Sequence, residues 1–322
     1  MNEPLDTCLF LLRPQYQQRV WGGQKLQQAS PPVGEAWIAY ERSEIQGGEH
    51  DGQTVGELAG RYGAALLGTD VARRFGGRFP LLIKLLDCAD WLSVQVHPND
   101  EQARRLVGPG EFGKTEAWHF LEVDEGATIL AGVKSGTSPQ ELARAIRSGR
   151  VLDVAERASV RSGETVFIPA GTLHALGPGM LLYEVQQVSD TTYRVYDWDR
   201  PASAGRALHL DESVEVTNPA LRADVTPPPV LRGTGEQQAV SCPFFQLDVL
   251  QLEGTALRGE TAGQSAHVIT VTAGQVEVFC ADQTVTLSPH QTLLVAAQTS
   301  GYEVRPVSGN ARALRASVPM VG

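Results

Sequence analysis

The stretch GETVFIPAGTLHAL, residues 163–176, sets the reading of the whole chain. Glu164 to Ile168 is a β-branched and aromatic run, which reads as a strand. Pro169 fixes φ and cannot donate to a ladder, so the strand stops there. Gly171 permits a tight reversal. The next strand then carries His174 near its start. Side chains alternate across a strand, so His174 points inward if Leu173 points out. A histidine so placed is either packed or a ligand, and the rest of the chain has to decide.

SVQVHPND, residues 93–100, poses the same question. Gln95 and His97 are two apart and share one face, while Val94 and Val96 share the other. The plain reading is a strand with a solvated face; the sharper one is half of a metal site. FGKTEAWHFLEV, residues 112–123, adds Lys114 and Glu116 on one face of a following strand. Gln95, His97, Glu116 and His174 together offer two imidazoles, one carboxylate and one amide oxygen. That set suits one Zn2+, with water or substrate completing the shell. Fe2+, Mn2+ or another divalent ion fits the same donors.

Bulk properties narrow the function. The chain has 322 residues and 42% hydrophobic content, enough for one large domain or two ordinary ones. A formal charge of −10 argues against a nucleic-acid partner, though a local basic pocket can still hold an anionic small molecule. No apolar run approaches a membrane span, and MNEPLDTCLFLL lacks the basic start of a secretory signal. Cys8, Cys88, Cys242 and Cys280 are scattered, with no CxxC pair, so reduced thiols in a cytoplasmic protein are expected.

Short apolar runs separated by Gly, Pro, Asp and Ser predict a mainly β protein, a sandwich or barrel. Helical signals are confined to inserts. Thr54 and Glu57 have capping-box spacing, Ser138 and Pro139 open a second helix that Gly149 can end, a short helix follows Asn99, and DVAERA near 153 reads as a further turn. TPPPVLRGTGEQQ, residues 226–238, reads as a connector. The expected domains are 1–228, metal-binding and catalytic, and 229–322, a smaller β domain. SPHQTLLVAAQTSGYEV, residues 288–304, weakly echoes residues 162–176 but lacks a counterpart of His174. Two related barrels are expected, one with chemistry and one without.

The Gly163–Pro169–Gly171–His174 spacing resembles the second motif of cupins, small double-stranded β-helix barrels that bind metal inside. RVWGG, GEAW, FPLLIKLLDCADWLSVQVHPND, GKTEAWHFLE, IPAGTLHAL and YEVQQVSDTTYRVYDWDR, in this order from residue 19 to 200, resemble the type I phosphomannose isomerases in their short bacterial form. The resemblance implies two cupin-like barrels, the first with helical insertions. It implies metal ligands at Gln95, His97, Glu116 and His174, and further pocket residues at Trp21, Glu35, Lys84, Ser93, Lys114, Glu184, Asp190 and Arg194. Many family members carry an aromatic residue where this chain has Leu176, and some a histidine where it has Gly113, so a ring-opening role for either group is in question here.

The implied reaction interconverts mannose 6-phosphate and fructose 6-phosphate through an enediol. Arg194 would steady the enediolate, and Lys114 would reach substrate oxygens or phosphate. Trp21, Glu35, Lys84 and Ser93 would contact substrate. The base is left open between Glu184, Asp190, a metal-held water and Lys114. Plainer roles compete: Arg194 bridged to Asp190, Asp197 or Asp199, Lys84 snorkelling from an edge strand, and Trp21 and Trp37 as packing. His50, His119, His209, His267 and His290 read as surface or packing residues. A small sugar phosphate is the expected partner, with no nucleic acid or membrane, acting on a monomer or weak dimer. Another metal-dependent cupin sugar enzyme, an epimerase or oxygenase, is the alternative, followed by a non-enzymatic sugar-binding cupin.

Overall fold

The computed structural model describes residues 5–200 and 206–320. It is mainly β, as expected, and divides into two compact units. A central unit holds residues 17–35 and 86–228; a terminal unit holds residues 1–16, 36–85 and 229–322. The division at Pro228 and Pro229 falls in the anticipated connector. The units differ from the 1–228 and 229–322 partition because two N-terminal segments pack with the C-terminal strands. Pairing of Leu9–Leu12 with Thr292–Val295 is one physical reason.

The central unit has two sheets. One is ordered Tyr193–Tyr196, Val94–Val96, His174–Leu176, Thr128–Val133, Ala155–Ser159. The other runs Asp224–Thr226, Thr165–Ile168, Glu116–Val123, Met180–Gln187 and on through residues 86–88 and 17–23. Alternation divides the first sheet into two functions. Val94 and Val96 join Leu142, Ile146, Val151 and Val216 from the helices Pro139–Arg147, Val151–Val154 and Leu210–Val216. Fully burying a valine is worth about 1.5–3 kcal/mol, so these helices fix which face looks inward. Ile129, Ala131 and Leu176 instead share a core with Trp118, Phe120, Val166 and Ile168 of the opposite sheet.

The helices form where the caps are. Thr54 completes a capping box with Glu57 for Val55–Tyr62. Asn99 does so with Gln102 for Asp100–Leu106. Ser138 accepts from Glu141 with Pro139 in the first turn. DVAERA is only half helical: the helix ends at Val154, and Ala155–Ser159 pairs as a strand with Thr128–Val133. Edge pairing there overrides a weak helical propensity.

The terminal unit also has two sheets, one of six strands and one of four. A single apolar cluster, including Leu250, Ile269, Leu293, Ala313, Val278 and Val304, lies between them.

Candidate metal centre

His174 opens its strand as expected. Thr165–Ile168 leads into Pro169, and Gly171 takes φ of +88°, the left-handed region glycine favours. A Cβ on Gly171 would stand 3.1 Å from the Val216 carbonyl oxygen. His174 then pairs with Gln95 across the antiparallel ladder. Glu116 begins the facing strand, paired with Ile168 and Gln186. His97 follows Val94–Val96, and its carbonyl accepts from Gly171 N–H at 2.8 Å.

These elements bring the predicted ligands together. Donor atoms of His97, Glu116 and His174 all lie within 4.8 Å of one another, and all three residues are buried. His97 Nε2 is 3.4 Å from Glu116 Oε2, and His174 Nε2 is 3.3 Å from Glu116 Oε1. The Gln95 amide completes the group, with Nε2 3.3 Å from His174 Nε2. It turns its nitrogen there rather than the expected oxygen; a half-turn about the terminal torsion exchanges the two. Ser93 Oγ donates to Gln95 Oε1 at 3.3 Å.

Both imidazoles are oriented from behind. His97 Nδ1 donates to the Thr191 carbonyl at 2.9 Å and His174 Nδ1 to the Thr172 carbonyl at 2.8 Å. A carbonyl only accepts, so each Nε2 is left with its lone pair toward Glu116. Burial, reinforced by the Lys114 cation, pushes His97 down to about 3, against the pull of Glu116. Burial also lowers His174. For Glu116, burial alone would raise the carboxyl; Lys114 and the two imidazoles outweigh it and hold it well below its usual range.

His97 Nε2 and both Glu116 oxygens are buried without hydrogen-bond partners among the described residues. Buried polar atoms left so are costly, and converging lone pairs of this kind are the donor set of a cation. The residues present therefore fit a divalent metal.

The surrounding residues fall into distinct places. Lys114 is buried with Nζ 3.3 Å from Glu116 Oε2. Glu184 is buried and accepts from Trp118 Nε1 at 3.2 Å, and the Trp118 ring lies 5.4 Å from that of His174. Arg194 pairs in register with Gln95. Its Nη1 donates to the Ala207 carbonyl at 2.9 Å, and its Nε is buried without an acceptor among the described residues. Burial, then Arg206, draws its guanidinium below the usual range. The anticipated bridge to Asp197 is preempted, because that carboxylate binds Arg200 at 3.0 Å and Arg206 at 2.6 Å; Asp199 instead accepts from the Tyr196 hydroxyl. Asp190 is exposed on the loop before Tyr193–Tyr196.

Trp21 is 3% exposed within the apolar core of the central unit. Glu35 pairs with Arg19 at 2.8 Å. Lys84 belongs to the terminal unit, buried in Leu81–Cys88 with Nζ 5.5 Å from the Trp37 ring. A Cβ at Gly113 would stand 2.6 Å from Asn99 backbone, and Leu176 is buried in apolar company, so neither position holds a polar group.

Sequence reasoning missed three supports. The Thr172 and Thr191 carbonyls are backbone atoms with no side-chain signal. His209, read as packing, accepts the Arg194 N–H at Nδ1, 3.2 Å away.

Residues 9–112 match the family described as phosphomannose isomerase type I, catalytic domain. The mannose-6-phosphate isomerase of Streptococcus mutans is 36% identical over 288 residues, covering 85% of this chain and 86% of that one. Mannose-6-phosphate isomerase ManA of Bacillus subtilis is 40% identical over 223 residues, covering 66% and 69%. The crystal structure of the Bacillus subtilis mannose 6-phosphate isomerase superposes with a TM-score of 0.83 at 29% identity, covering 96% of this chain and 99% of that chain. With matched identity over most of its length and the same fold, the chain belongs to the type I phosphomannose isomerases.

Proposed function

We propose that this enzyme interconverts mannose 6-phosphate and fructose 6-phosphate through an enediol, with Gln95, His97, Glu116 and His174 holding one Zn2+. The observation that carries the reading is the buried convergence of His97 Nε2 and both Glu116 oxygens, none with a hydrogen-bond partner among the described residues. When bound, a divalent cation supplies Lewis acidity to sugar oxygens.

The remaining work belongs to side chains. A proton leaves C2 of the open-chain aldose and returns at C1. Glu184 is the carboxylate we assign to this transfer: it is buried, and the indole N–H of Trp118 holds one of its oxygens in place. Asp190 is exposed and enters as a substrate contact. Arg194 meets negative charge on the enediolate; its unspent Nε–H supports that role. Lys114 holds a substrate oxygen or the phosphate while offsetting the Glu116 charge. Trp21, Glu35 and Ser93 serve substrate binding or its support. Four free cysteines are in keeping with a cytoplasmic setting.

A coupled assay tests this reading: mannose 6-phosphate in, fructose 6-phosphate out, with and without chelator. Turnover that is lost on chelation and restored by Zn2+ is expected. Absence of turnover in metal-replete enzyme overturns the proposal.

A further inference from the structure

The terminal unit carries polar side chains in its own interior. Strand alternation decides which residues face inward. Leu250 and Leu252, Ile269 and Val271, and Ala311 and Ala313 share the apolar core between the two sheets. Continuing along the same faces come Asp248 on Gln246–Glu253, His267 on His267–Ala273, and Arg315 and Ser317 on Asn310–Ser317. One end of this interior is therefore polar, and a cavity of about 340 Å3 opens there. That lies at the small end of ligand pockets, roughly 300–1,000 Å3.

The network is anchored on Arg315. Its Nε and Nη2 donate to Asp248 Oδ2 at 3.2 and 2.8 Å, and Nη1 meets Glu236 Oε2 at 2.9 Å. The Tyr302 hydroxyl lies 2.8 Å from His267 Nδ1, and His267 lines the cavity. Burial, with Arg315 nearby, holds this imidazole uncharged.

The charge balance selects the ligand. Glu236, Asp248 and Glu260 line the cavity against Arg258 and Arg315. Arg315 is spent on its acids, and Arg258 donates to Glu303 at 3.1 Å. With three carboxylates against two guanidiniums, the lining has no excess positive charge to draw a phosphate or carboxylate. Arg315 offsets one of the two charges on Asp248 and Glu236, so the lining holds a small surplus of acceptors, which favours a ligand that brings donors. Carboxylate oxygens beside an uncharged imidazole suit groups that both donate and accept, which is the chemistry of hydroxyls. Buried ion pairs are poor sources of stability, and hydrocarbon would fill this end as well.

We propose that the polar end of the terminal unit, built on Asp248, His267 and Arg315, is a second site that binds an uncharged polyhydroxylated molecule of monosaccharide size. The test uses the full-length, metal-loaded enzyme and isothermal titration with D-mannitol, with inorganic phosphate as the anionic probe. Mannitol is expected to bind saturably, including with saturating mannose 6-phosphate present. Gln264→Trp, a bulky side chain at an exposed position on the rim, and His267→Phe should each weaken it by about tenfold or more with isomerase turnover unchanged. Should His267→Phe fail to fold, Gln264→Trp still decides. Mannitol binding that is absent, displaced by mannose 6-phosphate, or indifferent to Gln264→Trp overturns the proposal. So does phosphate binding that Gln264→Trp abolishes.

Discussion

Gln95 and His174 sit directly opposite one another on antiparallel strands, and their side-chain nitrogens meet at 3.3 Å although 79 residues separate them. One ladder position thus joins two motifs that the sequence holds far apart. Every consequence for metal binding runs through that register, since a slip of one residue would turn both side chains to the helical face.

Glu116→Gln keeps the volume and removes the charge between Lys114 and the two imidazoles. Losing even an outer-shell partner typically weakens metal binding 10–100-fold, so affinity should fall by about 100-fold or more. Lys114 would also lose its buried counter-ion, a change that costs about 3–5 kcal/mol where the charge is retained. Metal content after dialysis, alongside urea unfolding, measures both. Undiminished metal in a folded variant would contradict the assignment.

Lys114→Met separates chemistry from metal holding. Turnover should drop on the order of 100-fold, as for removal of a group that stabilises developing charge. Bound metal should change far less. The reverse pattern, lost metal with full kcat, would leave Lys114 a purely structural counter-charge.

Trp118→Phe removes the indole donor to Glu184 but keeps an aromatic ring beside His174. A hydrogen bond to a charged group is worth about 1.5–3 kcal/mol, and stability should fall by an amount of that order. If Glu184 moves the proton, kcat suffers more than KM. Equal kcat in variant and parent would remove the reason for fixing that carboxylate.

His267 links stability to pH. Burial, then Arg315, lowers it to about 3 in the folded chain, against about 6.5 when unfolded. The unfolded state therefore binds more protons between those values, and stability falls as pH drops from 6.5 toward 3. Between pH 6.5 and 5 the loss from this residue is about 2 kcal/mol. Urea unfolding at the two pH values checks it: His267→Asn should lose less stability than the parent over this interval. An unchanged difference would mean the imidazole is protonated in the fold.

The parts of the site carried by side-chain alternation were open to reading from sequence. Val94 and Val96 against Gln95 and His97 is a two-faced strand, and the structure covers one face with helices. Pro169 and Gly171 fix a reversal by local sterics, so His174 could be placed without coordinates. What escaped depends on contacts between distant segments. No local pattern says that Leu9–Leu12 pairs with Thr292–Val295, so the composition of the compact units was not evident. Asp197 looked like a partner for Arg194, yet Arg200 and Arg206 claim it. His267 and Arg315 lie on separate strands with no local motif to link them, and only cross-strand pairing gathers Arg315 with Asp248 and sets the His267 strand beside it.

The imidazoles of His97 and His174 lean on carbonyl oxygens contributed by residues 191 and 172. Such anchors are indifferent to the identity of the residue that supplies them and sensitive to its distance along the chain. The bond itself therefore asks for no particular side chain at either threonine, although Thr172, 1% exposed, is also held to a small size by packing; a single inserted or deleted residue in either loop would misaim a ring.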